Sequence, residues 1–316
     1  MDFSRRNFMM GSLAALGGCK LTGGGEASGR TYEADFSYGP ANGKLLLKVK
    51  GLREPVRICA LGDSHLALHD ARDEAYAEHY KRMAQHPGDP QKFSETLALA
   101  KKNKADLVML LGDIISFPTY KNIEFVRGEL ERGGVDWMYV AGNHDWHFEG
   151  VPGTDIEQRR EWLPARLGAF YPKGADPLGY SRVVKGVRIV AIDDSVYHIL
   201  PGQLAFWERE IAKGDPTILM THVPIWTEGW NYWTCGCPDW GAKIDPCWKL
   251  ERRERWAERQ CAESFAFRDS VLRAPNLIAA FSGHIHALMM ARGAVNQFSV
   301  PSARKGDHFD VTIVPA

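Results

Sequence analysis

Five short apolar runs in this sequence each lead directly into a cluster of polar side chains. Runs of this length are typical of buried β-strands. The runs are ICALG, ADLVMLLG, WMYVAG, TILM and LIAAFS, and the clusters are Asp63-Ser64-His65, Gly112-Asp113, Gly142-Asn143-His144-Asp145, Thr221-His222 and Gly283-His284-Ile285-His286. The carboxyl ends of strands in an open α/β sheet border one crevice. The sequence therefore predicts an α/β fold with one shared polar site.

The clusters supply oxygen and nitrogen donors suited to first-row divalent metals. Imidazole suits Zn, Fe and Mn, whereas carboxylate and amide oxygens suit Mn or Mg. Two ions about 3.5–4 Å apart need a bridging carboxylate, terminal ligands and open positions for water and substrate. Seven side chains fit that need, and no cysteine is among them: Asp63, His65, Asp113, Asn143, His222, His284 and His286. We therefore expect a binuclear metal centre.

The ordered motifs resemble the calcineurin-like metallophosphoesterase family, whose pattern runs D-x-H, G-D-x-x-D, G-N-H-D/E, a single H and G-H-x-H. The resemblance covers roughly residues 56–286. It implies a four-layer αββα sandwich of two mixed β-sheets flanked by helices. Ser116 departs from the pattern, because the family has the second Asp of G-D-x-x-D at this position. That Asp supports the site, so its loss concerns the rigidity of the site more than metal binding.

The resemblance also implies a reaction and a division of the ligands. The reaction is hydrolysis of a phosphoric mono- or diester, with metal-bound hydroxide as the nucleophile and two divalent ions of Fe, Mn or Zn as cofactors. The implied ligands are Asp63, His65 and His286 for one ion and Asn143, His222 and His284 for the other, with Asp63 and Asp113 bridging or nearly bridging the two ions.

His144 is the predicted general acid. It adjoins a ligand without being one, and Asp145 is expected to orient it and to help keep it protonated for donation to the leaving oxygen. His147 is a candidate substrate contact. The pair Asp193-Asp194 follows the strand-like run VRIVAI, and we interpret it as a turn or as support for the site, because the family has no ligand there.

The first 30 residues predict export. Ser4-Arg5-Arg6-Asn7-Phe8-Met9 is a twin-arginine pattern, and the apolar stretch after it is too short to span a bilayer, which needs ~20 residues. The segment ending at Cys19 resembles a bacterial lipobox, which predicts lipidation of Cys19 and a flexible tether to residue 30. We expect a periplasmic, membrane-anchored lipoprotein that uses the twin-arginine machinery. The alternative is ordinary cleavage and a soluble periplasmic protein.

Charge balance argues against a polyanion partner. The chain has 39 Lys and Arg and 39 Asp and Glu, so its formal net charge is zero. No basic field of the kind that binds nucleic acid is visible, and a small phosphate ester is the expected substrate. Residues 31–316 are enough for one metallophosphoesterase domain with a large core.

A segment rich in tryptophan and cysteine, at about residues 226–261, is predicted to be an insertion over the metal crevice. Trp226 is a candidate substrate contact, since aromatic rings there would stack on a sugar or base, although a small aromatic core is an equal alternative. In an exported protein the cysteines favour disulfides, with a structural zinc site as the rival. The four cysteines are Cys235, Cys237, Cys247 and Cys261.

Periodicity predicts the remaining layout. An edge strand pair is expected at residues 32–50, a helical stretch at 73–103 broken at 86–90, and a crossover helix at 121–133. Helices are also expected at 156–167 and 203–212. The tail segments NQFSVPSA and FDVTIV are expected to form strands of the second sheet.

The substrate and one alternative function stay open at the level of sequence. Mono- and diesters, including nucleotides, sugar phosphates and lipid head groups, all suit one fold that hosts many substrates. The alternative is a metal-binding envelope lipoprotein without turnover, for which Ser116 is the one hint. The presence of His144 and of every ligand favours the hydrolase.

Overall fold

Two β-sheets form the framework of the computed structural model, which describes residues 31–39, 43–81, 84, 86–225 and 262–316. In chain order the strands are β1 Ala34–Gly39, β2 Lys44–Val49, β3 Val56–Leu61, β4 Leu107–Leu110, β5 Trp137–Tyr139, β6 Gly179–Val184, β7 Val187–Ile192, β8 Thr217–Met220, β9 Leu277–Ser282, β10 Met289–Ala291, β11 Gln297–Ser299 and β12 Phe309–Pro315. The first sheet has the order β1-β2-β12-β3-β4-β5, and the second has the order β10-β11-β9-β8-β7-β6.

Helices flank the two mixed sheets, and the predicted αββα sandwich is confirmed. The α-helices of the described residues are α1 Ala77–Tyr80, α2 Pro90–Lys102, α3 Tyr120–Gly133, α4 Asp155–Arg166, α5 Pro201–Ile211 and α6 Ala262–Arg273, and 3₁₀ turns lie at Ala71–Tyr76, Leu167–Phe170 and Ala303–Lys305. The helices predicted at 121–133, 156–167 and 203–212 are confirmed to within two residues at each end.

Helix α2 begins where the sequence predicts a break. Pro90 occupies the first turn, and the Asp89 side chain accepts a hydrogen bond from the amide of Gln91 at 2.9 Å. Proline suits this position because the first amides of a helix have no partner within it. The segment before the break holds a 3₁₀ turn and the short helix α1 rather than one long helix.

The tail prediction was half wrong. Strand β11 belongs to the second sheet as expected, but β12 inserts into the first sheet, parallel to β2 and antiparallel to β3. Buried and half-buried residues alternate along β12. Alternation shows that a segment is a strand with two unlike faces, but it does not identify the neighbouring strand. The edge pair predicted at 32–50 is confirmed as the antiparallel hairpin β1-β2.

Two apolar layers lie on opposite faces of the second sheet. Along β7, Ile189 and Ala191 join the core between the sheets, whereas Val190 and Ile192 pack in an outer core that includes Trp207. Successive side chains of a strand point to opposite faces, so a strand covered on both faces has a continuous apolar sequence. Burial of both faces of β7 explains why its apolar sequence is uninterrupted.

Several predictions lie outside the described residues. They concern the twin-arginine signal, Cys19, Trp226 and the four cysteines of residues 226–261. Cys59, in β3, is buried with a free thiol. Within the part of the chain that the structure describes, none of the helices combines the length and the apolar character needed to cross a bilayer.

A buried ion pair joins the end of α4 to the 3₁₀ turn Ala71–Tyr76, whose Asp73 also binds the start of α3. Arg166 Nη2 donates to Asp73 Oδ1 at 2.8 Å, and Asp73 Oδ2 accepts from the amide of Tyr120 at 2.9 Å. The guanidinium also lies 3.7 Å from the centre of the Tyr120 ring. Removing one partner of such a pair leaves the other charge buried and uncompensated.

We expect Arg166→Met to lower the free energy of unfolding by about 3 kcal/mol, because the carboxylate of Asp73 stays buried without its partner. Urea denaturation followed by circular dichroism measures this loss. Arg160 is exposed on the same helix, so Arg160→Met is the matched control and should cost less than about 0.5 kcal/mol. Equal stability of the two variants would contradict a structural role for the ion pair.

Candidate metal centre

The seven predicted ligands lie in loops that follow strands of both sheets. Strands β3, β4 and β5 are parallel neighbours in the first sheet, and β8 and β9 are parallel neighbours in the second. Their carboxyl ends converge, as the sequence predicts. Asp63 and His65 follow β3, Asp113 follows β4, Asn143 follows β5, His222 follows β8, and His284 and His286 follow β9.

The first donor group consists of Asp63, His65, Asp113 and His286, whose donor atoms all lie within 4.8 Å of one another. His65 Nε2 lies 3.0 Å from His286 Nε2 and 3.6 Å from Asp113 Oδ2. His286 Nε2 lies 3.4 Å from Asp63 Oδ1. Four side chains from three different loops thus direct their donor atoms at one small volume.

The second donor group consists of Asp113, His222 and His284. His222 Nε2 lies 3.4 Å from Asp113 Oδ2, 3.2 Å from His284 Nδ1 and 3.3 Å from Asn143 Oδ1. Asp113 belongs to both groups, whereas Asp63 belongs to the first alone. The geometry therefore favours Asp113 as a bridging carboxylate, and a bridging position for Asp63 stays a prediction.

The electrostatics of the ligand cluster favour a bound cation. Burial alone would raise the pKa of Asp113, but the positive charge of His222 holds it well below its usual range. Burial likewise opposes a charged His222, yet Asp113 raises the pKa of this imidazole to about 10. The site thus stabilises positive charge in a fully buried position. Divalent ions would supply that charge, and imidazole, carboxylate and amide donors suit first-row metals.

Backbone strain is concentrated at the ligands. Eight non-glycine residues among those described have a positive φ, and five of them are predicted ligands. Such a conformation costs about 1–3 kcal/mol and persists only where the surrounding structure holds it, commonly at ligand sites. The five are Asp63 at 53°, His65 at 48°, Asp113 at 50°, His284 at 71° and His286 at 54°.

Two motif glycines are explained by close approach of the loops. A Cβ at Gly142 would lie 2.1 Å from Asp113 Oδ1, and a Cβ at Gly112 would lie 2.5 Å from His222 Nδ1. Carbon atoms at these distances overlap their neighbours, so a side chain would force the ligand loops apart. Gly112 also has a φ of 81°, which L-residues rarely adopt.

Asp145 supports the ligand loops instead of orienting His144. Its carboxylate is buried and accepts hydrogen bonds from the backbone amides of Gly142 at 2.7 Å, Asp113 at 2.8 Å and Ile115 at 2.9 Å. Burial, with Asp113 nearby, raises its pKa to about 7. The expected contact with the His144 imidazole is corrected, because three amides of two ligand loops take the carboxylate oxygens.

Asp194 supports the loop of His222 in a similar way. Its Oδ1 accepts from the amides of His222 at 2.9 Å and Val223 at 3.1 Å. His222 Nδ1 lies 2.8 Å from the carbonyl oxygen of Leu111, which leaves Nε2 directed at the second donor group. A hydrogen bond at the far ring nitrogen fixes the tautomer and the orientation of a metal-binding histidine. The interpretation of Asp193-Asp194 as support therefore holds for Asp194.

Ser116, at the position of the family's second Asp, contacts His65. Its Oγ is 3.2 Å from the carbonyl oxygen of His65 and 3.4 Å from His65 Nδ1. The side chain is buried, and the contact to the far ring nitrogen of His65 parallels the contact of Leu111 with His222. A neutral hydroxyl therefore occupies the supporting position, without the negative charge of a carboxylate.

The predicted catalytic and substrate residues lie at different distances from the ligands. The His144 ring is half-buried and lies 5.1 Å, between ring centres, from the ring of His65. The backbone amide of His144 donates to Asp113 Oδ1 at 2.8 Å, which fixes the loop against the shared carboxylate. His147 packs its ring 4.4 Å from that of Trp146. A role for His147 in substrate binding stays a prediction.

Two residues beside the site were missed by the sequence reasoning. Tyr197 has a φ of 63°, and its ring lies 5.5 Å from that of His284. Arg304 lies in a 3₁₀ turn close to the loop of Asp63. Neither residue follows a motif strand, and neither has a spacing that relates it to the ligands, so no sequence signal could have found them.

Comparisons with known proteins agree with this geometry. The sequence profile of the calcineurin-like phosphoesterase family matches residues 56–288. None of the curated proteins matches the chain significantly.

Two solved structures share the fold. A dimetal phosphatase from Danio rerio has 12% sequence identity and a TM-score of 0.50, and the match covers 80% of this chain and 89% of that chain. Purple acid phosphatase PPD1 from yellow lupin (Lupinus luteus) seeds has 15% identity and a TM-score of 0.50, over 84% of this chain and 48% of that chain. At such identities the likeness concerns the fold. The profile match extends over most of the chain, and the chain belongs to the calcineurin-like phosphoesterase family.

Proposed function

We propose that this protein is a metal-dependent phosphoric ester hydrolase with a binuclear metal centre. The observation that carries the proposal is the position of Asp113, whose carboxylate belongs to two adjoining donor groups. A carboxylate shared in this way suits the bridge of a two-metal site. Membership of the calcineurin-like phosphoesterase family supports the same reaction class.

The two donor groups would each hold one ion. When bound, two divalent ions supply an activated water as nucleophile and neutralise charge on the phosphoryl oxygens. The supporting hydrogen bonds of Asp145 and Asp194 keep the ligand loops in place before any metal binds. The assigned ligands are Asp63, His65, Asp113 and His286 for one ion and Asp113, Asn143, His222 and His284 for the other.

His144 is the proposed general acid. Its ring is half-buried beside His65, and its backbone amide is bonded to Asp113, so the imidazole is held beside the donor groups without being counted among the ligands. Protonated imidazole would donate its proton to the oxygen of the departing alcohol or phenol. Asp145 contributes by holding the loop, not by contacting the ring of His144.

The metal content and the activity of the purified protein test the proposal. Wild-type protein supplied with Mn, Zn or Fe should bind about two metals per chain and hydrolyse p-nitrophenyl phosphate, bis(p-nitrophenyl) phosphate or both. Asp113→Asn removes the shared negative charge, so metal content should fall and the rate should drop at least about 100-fold. Asp136→Asn, at an exposed carboxylate, is the control and should keep both values.

Two outcomes would contradict the proposal. Absence of bound metal under every loading condition would exclude a metal-dependent enzyme. Two bound metals without turnover of either ester would favour the alternative, a metal-binding envelope protein. A near-normal rate of Asp113→Asn at full occupancy would refute the bridging role alone.

His144→Ala should affect poor leaving groups far more than good ones. An alkyl phosphate needs protonation of its leaving oxygen, so its kcat should fall about 10²- to 10⁴-fold. The kcat for p-nitrophenyl phosphate, whose leaving phenolate is stable, should change much less. His79→Ala, at a half-buried histidine that contacts the carbonyl of Glu149, is the control. Equal losses for both esters would contradict a general acid role.

We also propose that the protein is exported by the twin-arginine machinery and anchored through a lipid on Cys19. The support is the sequence of residues 1–30. Metabolic labelling with a palmitate analogue in a bacterial host should label the wild type, and Cys19→Ser should lose the label and leave the membrane fraction. A labelled Cys19→Ser variant, or an unlabelled wild type, would contradict the anchor. Arg5→Lys with Arg6→Lys tests export separately, because it should retain the protein in the cytoplasm.

A further inference from the structure

Arg304 is fixed against the loop that carries Asp63. It lies in the 3₁₀ turn Ala303–Lys305, and the amide of Ala303 donates to the carbonyl oxygen of Gly62 at 2.9 Å. Just before the turn, Ser302 Oγ donates to the carbonyl oxygen of Asp63 at 2.8 Å. The carbonyl oxygen of Arg304 itself accepts from the amide of Asp89 at 2.9 Å. The backbone of Arg304 is therefore held on three sides beside the first donor group.

The guanidinium of Arg304 acts on the first donor group. Burial lowers its pKa, while the charges of Asp63 and Asp113 raise it. Burial is the main cause that lowers the pKa of His65, and Arg304 acts in the same direction. Burial also lowers the pKa of His286 and Arg304 lowers it further, but Asp63 and Asp113 together raise it above its ordinary value. The charge of Arg304 thus acts on both histidines of the first donor group.

Arg304, which is half-buried, nevertheless lacks the carboxylate partners that other shielded arginines have. Arg159, Arg166 and Arg188 each form an ion pair with a carboxylate. Within the described part of the chain Arg304 forms none, and its Nε is shielded from water without a hydrogen-bond partner. A buried donor without an acceptor is costly, so an acceptor that bound Nε would stabilise this side chain.

We propose that Arg304 binds a non-bridging oxygen of the substrate's phosphoryl group and makes the enzyme favour phosphomonoesters over phosphodiesters. This inference rests on the proposed function. Guanidinium presents donors in a planar fork that matches phosphate oxygens. A monoester carries close to two negative charges near pH 7, because its second pKa is about 6, whereas a diester carries one. An added cation beside the metal site therefore attracts the monoester more strongly.

The test compares Arg304→Gln and Arg304→Lys with Lys305→Gln, the exposed neighbour in the same turn. For each metal-loaded full chain, kcat/KM is measured with p-nitrophenyl phosphate and bis(p-nitrophenyl) phosphate, and the Kd of inorganic phosphate is measured by calorimetry. Arg304→Gln should lower kcat/KM for the monoester about 10- to 100-fold and for the diester less than about threefold. The Kd of phosphate should rise about tenfold or more. Arg304→Lys should recover part of both losses, and Lys305→Gln should match the wild type.

Each contrary result has a separate meaning. Equal losses for the two esters would overturn the monoester preference, and an unchanged Kd for phosphate would overturn phosphate binding by Arg304. Metal content and circular dichroism of Arg304→Gln should match the wild type, since a loss there would assign the residue a structural role instead. If the wild type hydrolyses neither ester, the proposed function fails, and the phosphate Kd of the two variants still decides the role of Arg304.

Discussion

The carboxylate of Asp113 is the interaction on which the rest of the site depends. Its Oδ2 lies 3.6 Å from His65 Nε2 and 3.4 Å from His222 Nε2, so it joins two donor groups that each combine residues from both sheets. A buried anion of this kind is stable only with positive charge beside it. The same requirement that raises the pKa of His222 to about 10 makes the cluster a good place for divalent cations.

Residues around the donor groups hold the ligand side chains in place. The carboxylate of Asp145 accepts hydrogen bonds from three backbone amides, and that of Asp194 accepts hydrogen bonds from the amides of His222 and Val223. These hydrogen bonds offset the strain of ligands with a positive φ, such as Asp113 at 50°. The two sheets pack a common core below the loops, so the strand ends that carry the ligands form a rigid support.

Much of the architecture could be predicted from the sequence. Apolar runs located the strands that carry the site, and the motif residues that follow them meet in space because parallel strands end at a common edge. The failures have a physical reason. The alternation in β12 could not identify its sheet, and the adjacency of Asp145 to His144 suggested a contact that neighbouring backbone amides replace. Proximity along the chain does not determine where a side chain points.

The sequence by itself determined which donors are present, their order, and the strands that carry them, because these follow from residue type and local periodicity. The tertiary structure alone decided which carboxylate is shared, since this depends on the separation of loops from different sheets. It also decided that Ser116 contacts His65 and that Arg304, beside the first donor group, has no carboxylate partner among the described residues. Arg304 is 241 positions from Asp63 along the chain (304 minus 63), and it reaches the site because it lies between β11, which pairs in parallel with β9, and β12, which pairs with β3.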